Sequence, residues 1–117
     1  MLNLYRKGAM LVVRLEGELD HHSVADIRVE IDEALEENLP EILIFDLANV
    51  SFMDSSGIGM IIGRYRQMQE QGGRVGFVGI NQKIDKLMQV SGLLKIIPII
   101  EGSEADESNK PSQTGNA

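Results

Sequence analysis

Apolar and polar residues alternate at the start of the chain. Residues 2–4 and 11–15 both show this period of two, which is typical of strands with one buried face. Lys7-Gly8, between the two stretches, favours a tight turn. The pattern therefore predicts that the chain begins with a β-hairpin.

Two amphipathic helices with a short buried strand between them are predicted next. A Ser-x-x-Asp sequence at residues 23–26 predicts a capping arrangement at the start of the first helix. The apolar run of residues 42–47 predicts the strand. The second helix is predicted over about residues 55–71, ending ahead of Gly72. The apolar positions with helical spacing are Val24, Ile27, Ile31, Ala34 and Leu35 in the first helix and Ile58, Ile61, Ile62, Tyr65 and Met68 in the second.

The remaining apolar segments predict a strand, a helix and a last strand. The first strand includes residues 75–78, and Asn81 is a candidate N-cap for the helix, which Gly92 would end. Residues 96–100 are predicted to form the last strand. Because Pro98 has no N–H to donate to a neighbouring strand, this strand is expected at the edge of the sheet.

These elements predict an α/β domain with the order β-β-α-β-α-β-α-β. Strands that alternate with helices form parallel sheets through right-handed crossovers, so we expect a mixed, mostly parallel sheet with an antiparallel N-terminal hairpin. The domain is predicted over residues 1–100. Residues 101–117 are polar and acidic without an apolar stripe, which predicts a disordered tail.

Composition and charge narrow the possible partners. Eleven basic and eighteen acidic residues give a net charge of −7, which disfavours binding to nucleic acid or to an anionic membrane and favours a basic protein surface. The chain has no cysteine for disulfides or thiolate metal sites. No segment approaches the roughly 20 apolar residues that span a bilayer, so a cytoplasmic protein is expected.

Two adjacent serines, Ser55 and Ser56, are predicted at the point where a strand passes into a helix. One interpretation is structural, since a serine before a helix commonly caps it and contributes about 1 kcal/mol. The other is functional, because the free N–H groups and positive dipole end of a helix favour an anion such as phosphate. Both interpretations hold together, and Ser55 is the candidate phosphorylation site.

Four carboxylates are predicted to lie on the same edge of the sheet as the serines. They are Glu18, Asp20, Asp46 and Asp54. Each alone is equally well explained as a helix cap or strand end. A phosphoryl group would add about −1.5 to −2 charges beside them and make the docking of a partner sensitive to repulsion.

The glycines that follow the serines lower helix propensity, so they are expected to serve another purpose. Gly57 and Gly59 are expected to give a phosphate or a partner access to the backbone, and Gly63 is expected to allow tight packing. The segment lacks the Gly-Lys-Ser/Thr of a P-loop and matches only part of a dinucleotide-binding pattern, so nucleotide binding is not favoured.

The sequence also argues against a metal site and against a hydrolase. His21 and His22 are adjacent, but the sequence offers no complementary cluster of ligands, so no metal site is predicted. The serines lack a surrounding Gly-x-Ser-x-Gly elbow, which argues against a Ser–His–Asp hydrolase. No catalytic residue and no cofactor are therefore assigned.

Residues 17–22 (GELDHH), 51–59 (SFMDSSGIG) and 90–93 (VSGL) resemble the STAS domain family. Within it, the resemblance is to anti-sigma factor antagonists of sporulation in endospore-forming bacteria, and residues 61–65 (IIGRY) extend it. The match includes most of residues 1–100. Relatives commonly end with another amphipathic helix, whereas residues 101–117 lack the apolar periodicity for one.

The resemblance implies a binding protein that is switched by phosphorylation. It implies that the unmodified protein binds an anti-sigma factor, which is also an ATP-dependent serine kinase, and so releases a sigma factor. The kinase would phosphorylate Ser55, with Ser56 the lesser candidate, and end the binding, and a metal-dependent serine phosphatase would restore it. The residues expected to contact the partner are Asp20, Asp54, Ser56, Gly57 and Ile58.

Two alternatives stay open at the level of the sequence. One keeps the STAS fold but places it in another circuit, such as general stress control or a transport complex. The other is a small nucleotide-binding protein or enzyme that uses Ser55, His21 or His22.

Overall fold

The computed structural model describes residues 2–100 of the 117-residue chain. The strands are β1 (Leu2–Lys7), β2 (Met10–Leu19), β3 (Ile42–Met53) and β4 (Arg74–Val78), and the helices are α1 (His21–Asn38), α2 (Ser55–Glu70) and α3 (Gln82–Ser91). A 3-10 turn, Leu93–Lys95, follows α3. The predicted tail, residues 101–117, lies outside the described part of the chain.

The strands form one sheet in the order β1-β2-β3-β4. The β1–β2 hairpin is antiparallel, and β2–β3 and β3–β4 are parallel pairs. The helices α1 and α2 each connect two parallel neighbours. This is the mixed, mostly parallel α/β sheet with an antiparallel start that the sequence predicts, and the fold class is confirmed.

The main core lies between the sheet and the helices. All five apolar positions predicted for α1 are buried, as are Ile61 and Met68 of α2. Facing residues of β2 and β3 complete this core, and a smaller apolar cluster of Val12, Ile44 and Val78 lies apart from it. The central strands are therefore apolar on both faces, as is usual for parallel strands.

The predicted last strand is reduced to a single parallel bridge between Phe77 and Ile99. The Phe77 N–H donates to the carbonyl of Pro98 at 2.9 Å, and the Ile100 N–H donates to the carbonyl of Phe77 at 2.6 Å. Because Pro98 has no N–H of its own, pairing does not extend along the segment. The expected position at the sheet edge, beside β4, is confirmed.

β3 is longer than predicted because it is bulged. Asp46 pairs with Arg14, yet Asn49 pairs with Glu16 and Phe52 with Glu18, so β3 has an extra residue at two points. Each β-bulge breaks the alternation of buried and exposed side chains. The second half of the strand therefore lacks the period of two by which a strand is predicted from sequence. The strand continues to Met53 and delivers the serine pair directly to α2.

Candidate functional site

Two strand-to-helix connections lie side by side at one edge of the sheet. Leu19 and Met53 end β2 and β3 and pair with each other. The Asp54 N–H donates to the carbonyl of Leu19 at 3.3 Å, which ties the two connections together. The next residues, Asp20 and Asp54, precede α1 and α2, so the structure brings these two predicted site residues together.

Asp20 is the N-cap of α1. Its Oδ1 accepts hydrogen bonds from the N–H groups of His22 at 3.0 Å and Ser23 at 3.1 Å. The Ser23 hydroxyl is positioned to bond with the Asp20 N–H in return, which completes a capping box. The predicted cap at residues 23–26 is wrong by one turn. The N-cap is Asp20, and Ser23 is the third residue of α1.

The pKa of Asp20 lies below its ordinary value. The main cause is the hydrogen bond from the backbone of Ser23, and desolvation opposes it. The His22 backbone bond and the His22 side-chain charge lower the pKa further. The carboxylate is thus held ionised at the positive end of α1.

Asp54 caps α2 in the same way. Its Oδ1 accepts a hydrogen bond from the Ser56 N–H at 2.8 Å. The structural interpretation of the serines as N-caps is therefore wrong, because the preceding aspartate provides the cap. Ser55 is the first residue of α2 and is exposed. Its hydroxyl has no hydrogen-bond partner among residues 2–100, which leaves it available for chemistry.

The neighbours of Ser55 differ in exposure. Ser56 and Ile58 are half-buried, and the Ile58 side chain packs against the core. Gly57 is buried, and a Cβ placed on it would lie 2.5 Å from Cγ of Met53 and 3.2 Å from the Leu19 carbonyl oxygen. The expectation that Gly57 exposes its backbone is wrong, because this glycine lets α2 approach the sheet edge.

The two remaining glycines of α2 face open space. A Cβ on Gly59 or on Gly63 would meet nothing within 4 Å. The exposure expected for Gly59 is confirmed, and the close packing expected for Gly63 is wrong. Both glycines line a groove between α1 and α2, which we call the α1–α2 groove. Its lining includes Ala25, Arg28, Ser56, Gly59, Gly63 and Arg64.

The predicted cluster of four carboxylates is only partly formed. Glu18 is exposed near the end of β2, close to Asp20. Asp46 instead lies in the middle of β3, where Arg14 Nε is 3.1 Å from its Oδ2 and the Ala48 N–H donates to its Oδ1. Because the bulges extend β3 beyond Asp46, this carboxylate is removed from the edge that carries Ser55.

Two features of the site are not anticipated from the sequence. Phe52 is 49% exposed beside the serine segment, although aromatic side chains normally contribute to the core. Arg64 is buried and joins the helices, with its Nε 3.2 Å from Asp32 Oδ1 of α1 and 3.2 Å from Gln67 Oε1. Burial and the nearby Arg28 lower the pKa of Arg64, while Asp32 opposes the shift. An arginine at a helix position spaced like the core residues is the one signal that could have indicated this link.

His21 and His22 form no metal cluster within the described residues. Their rings lie 4.0 Å apart in a tilted arrangement, and residues 2–100 contain no group of three or more His, Asp or Glu side chains suited to a metal. None of the helices in that part of the chain combines the length and hydropathy required to cross a bilayer.

Comparison with known proteins identifies the family. The STAS domain model matches residues 1–106. An anti-sigma F factor antagonist of Paenibacillus polymyxa is 42% identical over 92 residues, which cover 79% of each chain. Two solved structures of SpoIIAA are also similar. The unphosphorylated anti-sigma factor antagonist has a TM-score of 0.78 and 31% identity, covering 97% of this chain and all of the other. The phosphorylated form, described as a Bacillus cell fate determinant, has a TM-score of 0.72 and 32% identity, covering 94% of this chain and all of the other.

The family match includes all of the described residues 2–100, and the relative from Paenibacillus polymyxa is 42% identical over 79% of the chain. The fold, the order of its elements and the SFMDSSGIG segment at the start of α2 agree with this assignment. The protein belongs to the STAS domain family.

Proposed function

We propose that this protein is an anti-sigma factor antagonist whose binding to its partner is switched by phosphorylation of Ser55. The unmodified form binds an anti-sigma factor that is also a serine kinase, and a sigma factor is released. Transfer of phosphate from ATP by the kinase ends the binding, and a serine phosphatase reverses the modification. The protein itself performs no catalysis and acts in the cytoplasm, in the control of sporulation.

The observation that carries this proposal is the exposed hydroxyl of Ser55 at the start of α2, which has no hydrogen-bond partner in the described part of the chain, residues 2–100. Asp54 already caps the helix, so modification of the serine removes no hydrogen bond of the cap. The positive dipole end of α2 favours a phosphate at this position, while the N–H groups of Ser56, Gly57 and Ile58 keep their bonds to Asp54. The fold therefore tolerates the modified serine, and the switch acts on the surface.

The charge around Ser55 supports the direction of the switch. Asp20, Asp54 and Glu18 lie at the same edge and suit a basic partner surface. A phosphate of about −1.5 to −2 charges concentrates further negative charge and bulk at the centre of this contact. Charges that are desolvated in an interface change affinity by several kcal/mol, which is enough to end binding.

The structures of phosphorylated and unphosphorylated SpoIIAA support the proposal, because this chain is 31–32% identical to both and similar in fold. The anti-sigma F factor antagonist of Paenibacillus polymyxa supports the choice of partner class. Together these relatives favour a sporulation circuit over a stress or transport circuit for this chain.

The test uses the cognate anti-sigma factor, taken from the genome that encodes this chain, with and without ATP. We expect the wild type to bind it and to gain one phosphate on Ser55, located by mass spectrometry. Ser55→Ala should bind and remain unmodified, and Ser55→Asp should bind at least ten-fold more weakly. Ser56→Ala is the matched control and should still be phosphorylated.

Phosphate on Ser55→Ala, or equal affinity of Ser55→Asp and wild type, would contradict the proposed switch. Isothermal titration of the isolated protein with ATP and with Mg²⁺ separates this function from a nucleotide-binding one. Tight binding of ATP by the protein alone, or turnover without a partner, would favour an enzyme instead.

A further inference from the structure

The α1–α2 groove includes Ser56, the residue next to the proposed phosphorylation site. Ser55, Gly59 and Gly63 are four residues apart, so they lie above one another on a single stripe of α2. No atom lies within 4 Å of a Cβ placed on either glycine. Ala25 of α1 adds another small side chain to the lining. A partner that contacts Ser55 therefore meets an open channel in which its main chain can approach the helix.

The far end of the groove contains a buried arginine, Arg64, whose hydrogen bonding is incomplete. Arg64 is 8% exposed, and its Nη1 and the nearby Asp32 Oδ1 are both buried without a hydrogen-bond partner within residues 2–100. Its Nε is satisfied by Gln67 and faces the Asp32 carboxylate. Because a buried donor without an acceptor is unfavourable, a carboxylate that enters the groove and reaches Nη1 of Arg64 would gain a favourable hydrogen bond there.

The charge of the groove is opposite to that of the protein. Arg28 and Arg64 line it, and Asp32 offsets only one of these two cationic groups, although the chain as a whole carries −7. Arg28 is exposed and lines the same groove as Arg64, so two arginine side chains border one channel. An acidic side chain is the natural complement to this pair.

We propose that the α1–α2 groove is a second docking site for the anti-sigma factor and receives an acidic segment of it. A carboxylate of that segment lies beside Arg28 and Arg64, while its backbone passes over Gly59 and Gly63 to Ser55. This inference rests on the proposed function. The groove adds a positively charged contact to the negatively charged edge of the sheet. Contacts of opposite charge at the two ends of the interface would fix the orientation of the partner on α2.

The charge of the groove is tested by reversing the charge of Arg28, which is exposed and has no hydrogen bond or ion pair within residues 2–100. Affinity of the unphosphorylated protein for the cognate anti-sigma factor is measured by titration calorimetry. We expect Arg28→Glu to bind at least ten-fold more weakly. Lys86→Glu, an equal charge change on the exposed surface of α3, should bind within two-fold of the wild type.

The shape of the groove is tested with Gly63→Leu, which places a side chain in the open channel. We expect at least a ten-fold loss of affinity and a lower rate of phosphorylation at Ser55. Gln69→Leu is the matched control, because this exposed residue of α2 does not line the groove. Circular dichroism melting confirms that each variant is folded before its affinity is compared.

The outcomes separate this inference from the proposed function. If the wild type binds the anti-sigma factor and both Arg28→Glu and Gly63→Leu bind it with the same affinity, the groove site is overturned and the proposed switch stays intact. Absence of wild-type binding overturns both. Light scattering of the protein alone tests a second copy as the occupant, and a dimer that Gly63→Leu dissociates would also overturn the inference.

Discussion

Asp20 and Asp54 lie side by side at the ends of two adjacent parallel strands, and each accepts hydrogen bonds from the first turn of the helix that follows it. The two connections thus have the same local structure, in which a strand is followed directly by an aspartate that is the N-cap of the next helix. Because the strand ends are paired, the positive ends of both helices meet at one edge. This arrangement holds Ser55 in a fixed position without using its hydroxyl.

Removal of the Asp54 cap is expected to destabilise the protein. Asp54→Ala leaves the Ser56 N–H without its acceptor, and loss of an N-cap costs about 1 kcal/mol. Asp54→Ser should retain most of the stability, since serine is also a good N-cap. Urea unfolding followed by circular dichroism measures both variants, and equal stability of Asp54→Ala and wild type would show that the cap is dispensable.

The contribution of Asp20 is expected to depend on pH. Because its pKa is lower in the fold than its ordinary value of 3.8, the ionised form stabilises the protein above that value. The stabilisation is lost as the pH falls through the folded pKa. Asp20→Asn keeps a capping side chain but does not titrate. The difference in unfolding free energy between wild type and Asp20→Asn should be constant from pH 7 to about pH 5 and shrink below about pH 4.

This comparison isolates Asp20 because every other carboxylate titrates in both proteins. A difference that stays constant down to pH 3 would mean that the carboxylate charge makes no contribution to stability at the start of α1.

The same substitution is expected to have opposite effects at two glycines of α2. Gly57→Ala forces its Cβ against Met53 and the Leu19 carbonyl, and overpacking of this kind costs about 1–3 kcal/mol. Gly63→Ala meets open space and should stabilise the helix by about 1 kcal/mol or slightly less. Thermal melting of the two variants measures both effects, and a stabilised Gly57→Ala would show that α2 has room to move away from the sheet edge.

The positions of the serine pair and of the helices follow from periodicity, because burial of one helix face leaves a clear repeat in the sequence. The exact cap is harder to predict. Asp, Ser and Asn are all good caps, and Asp54, Ser55 and Ser56 stand in a row, so propensity alone does not choose among them. Pairing of Met53 with Leu19 makes the choice, and such a contact between distant residues leaves no local signal.

The bulges of β3 separate Asp46 from the cluster of carboxylates that the sequence predicts. A strand with regular alternation would end near Leu47, and Asp46 would then lie at the edge with Asp54. The extra residues of β3 continue the strand to Met53 by an irregular path that depends on β2 and on Asn81. The open space above Gly59 and Gly63 also leaves no signal in the sequence, because it depends on the separation of α1 and α2.

Asn81 is expected to maintain the bulged segment that leads to Ser55. Its Nδ2 is 3.3, 3.1 and 2.9 Å from the carbonyl oxygens of Leu47, Ala48 and Val50, and its Oδ1 accepts from the Ile84 N–H at 3.0 Å. One side chain thus caps α3 and satisfies carbonyls that the bulge removes from regular pairing. Replacement by a residue of the same shape without donors should separate these two roles.

Asn81→Asp keeps the capping oxygen but turns a carboxylate oxygen toward the three carbonyl groups. We expect a loss of about 2 kcal/mol at pH 7, because the N–H donors are gone and like partial charges face each other. Below about pH 4 the protonated aspartic acid regains one O–H donor, so part of the stability should return. Asn49→Asp, the same change at an exposed position of β3, should stay within about 0.5 kcal/mol of wild type.

Urea unfolding at pH 7 and pH 3.5 measures this recovery relative to wild type, with Asn81→Ala as the variant that cannot regain a donor. Because β3 leads directly to Asp54, loosening of the bulge should also slow phosphorylation of Ser55 by the cognate kinase in Asn81→Asp, while Asn49→Asp remains a normal substrate. Equal pH dependence of the Asp and Ala variants at position 81 would mean that the three carbonyl groups are satisfied without the amide, and that the path of β3 is set by its pairing with β2 alone.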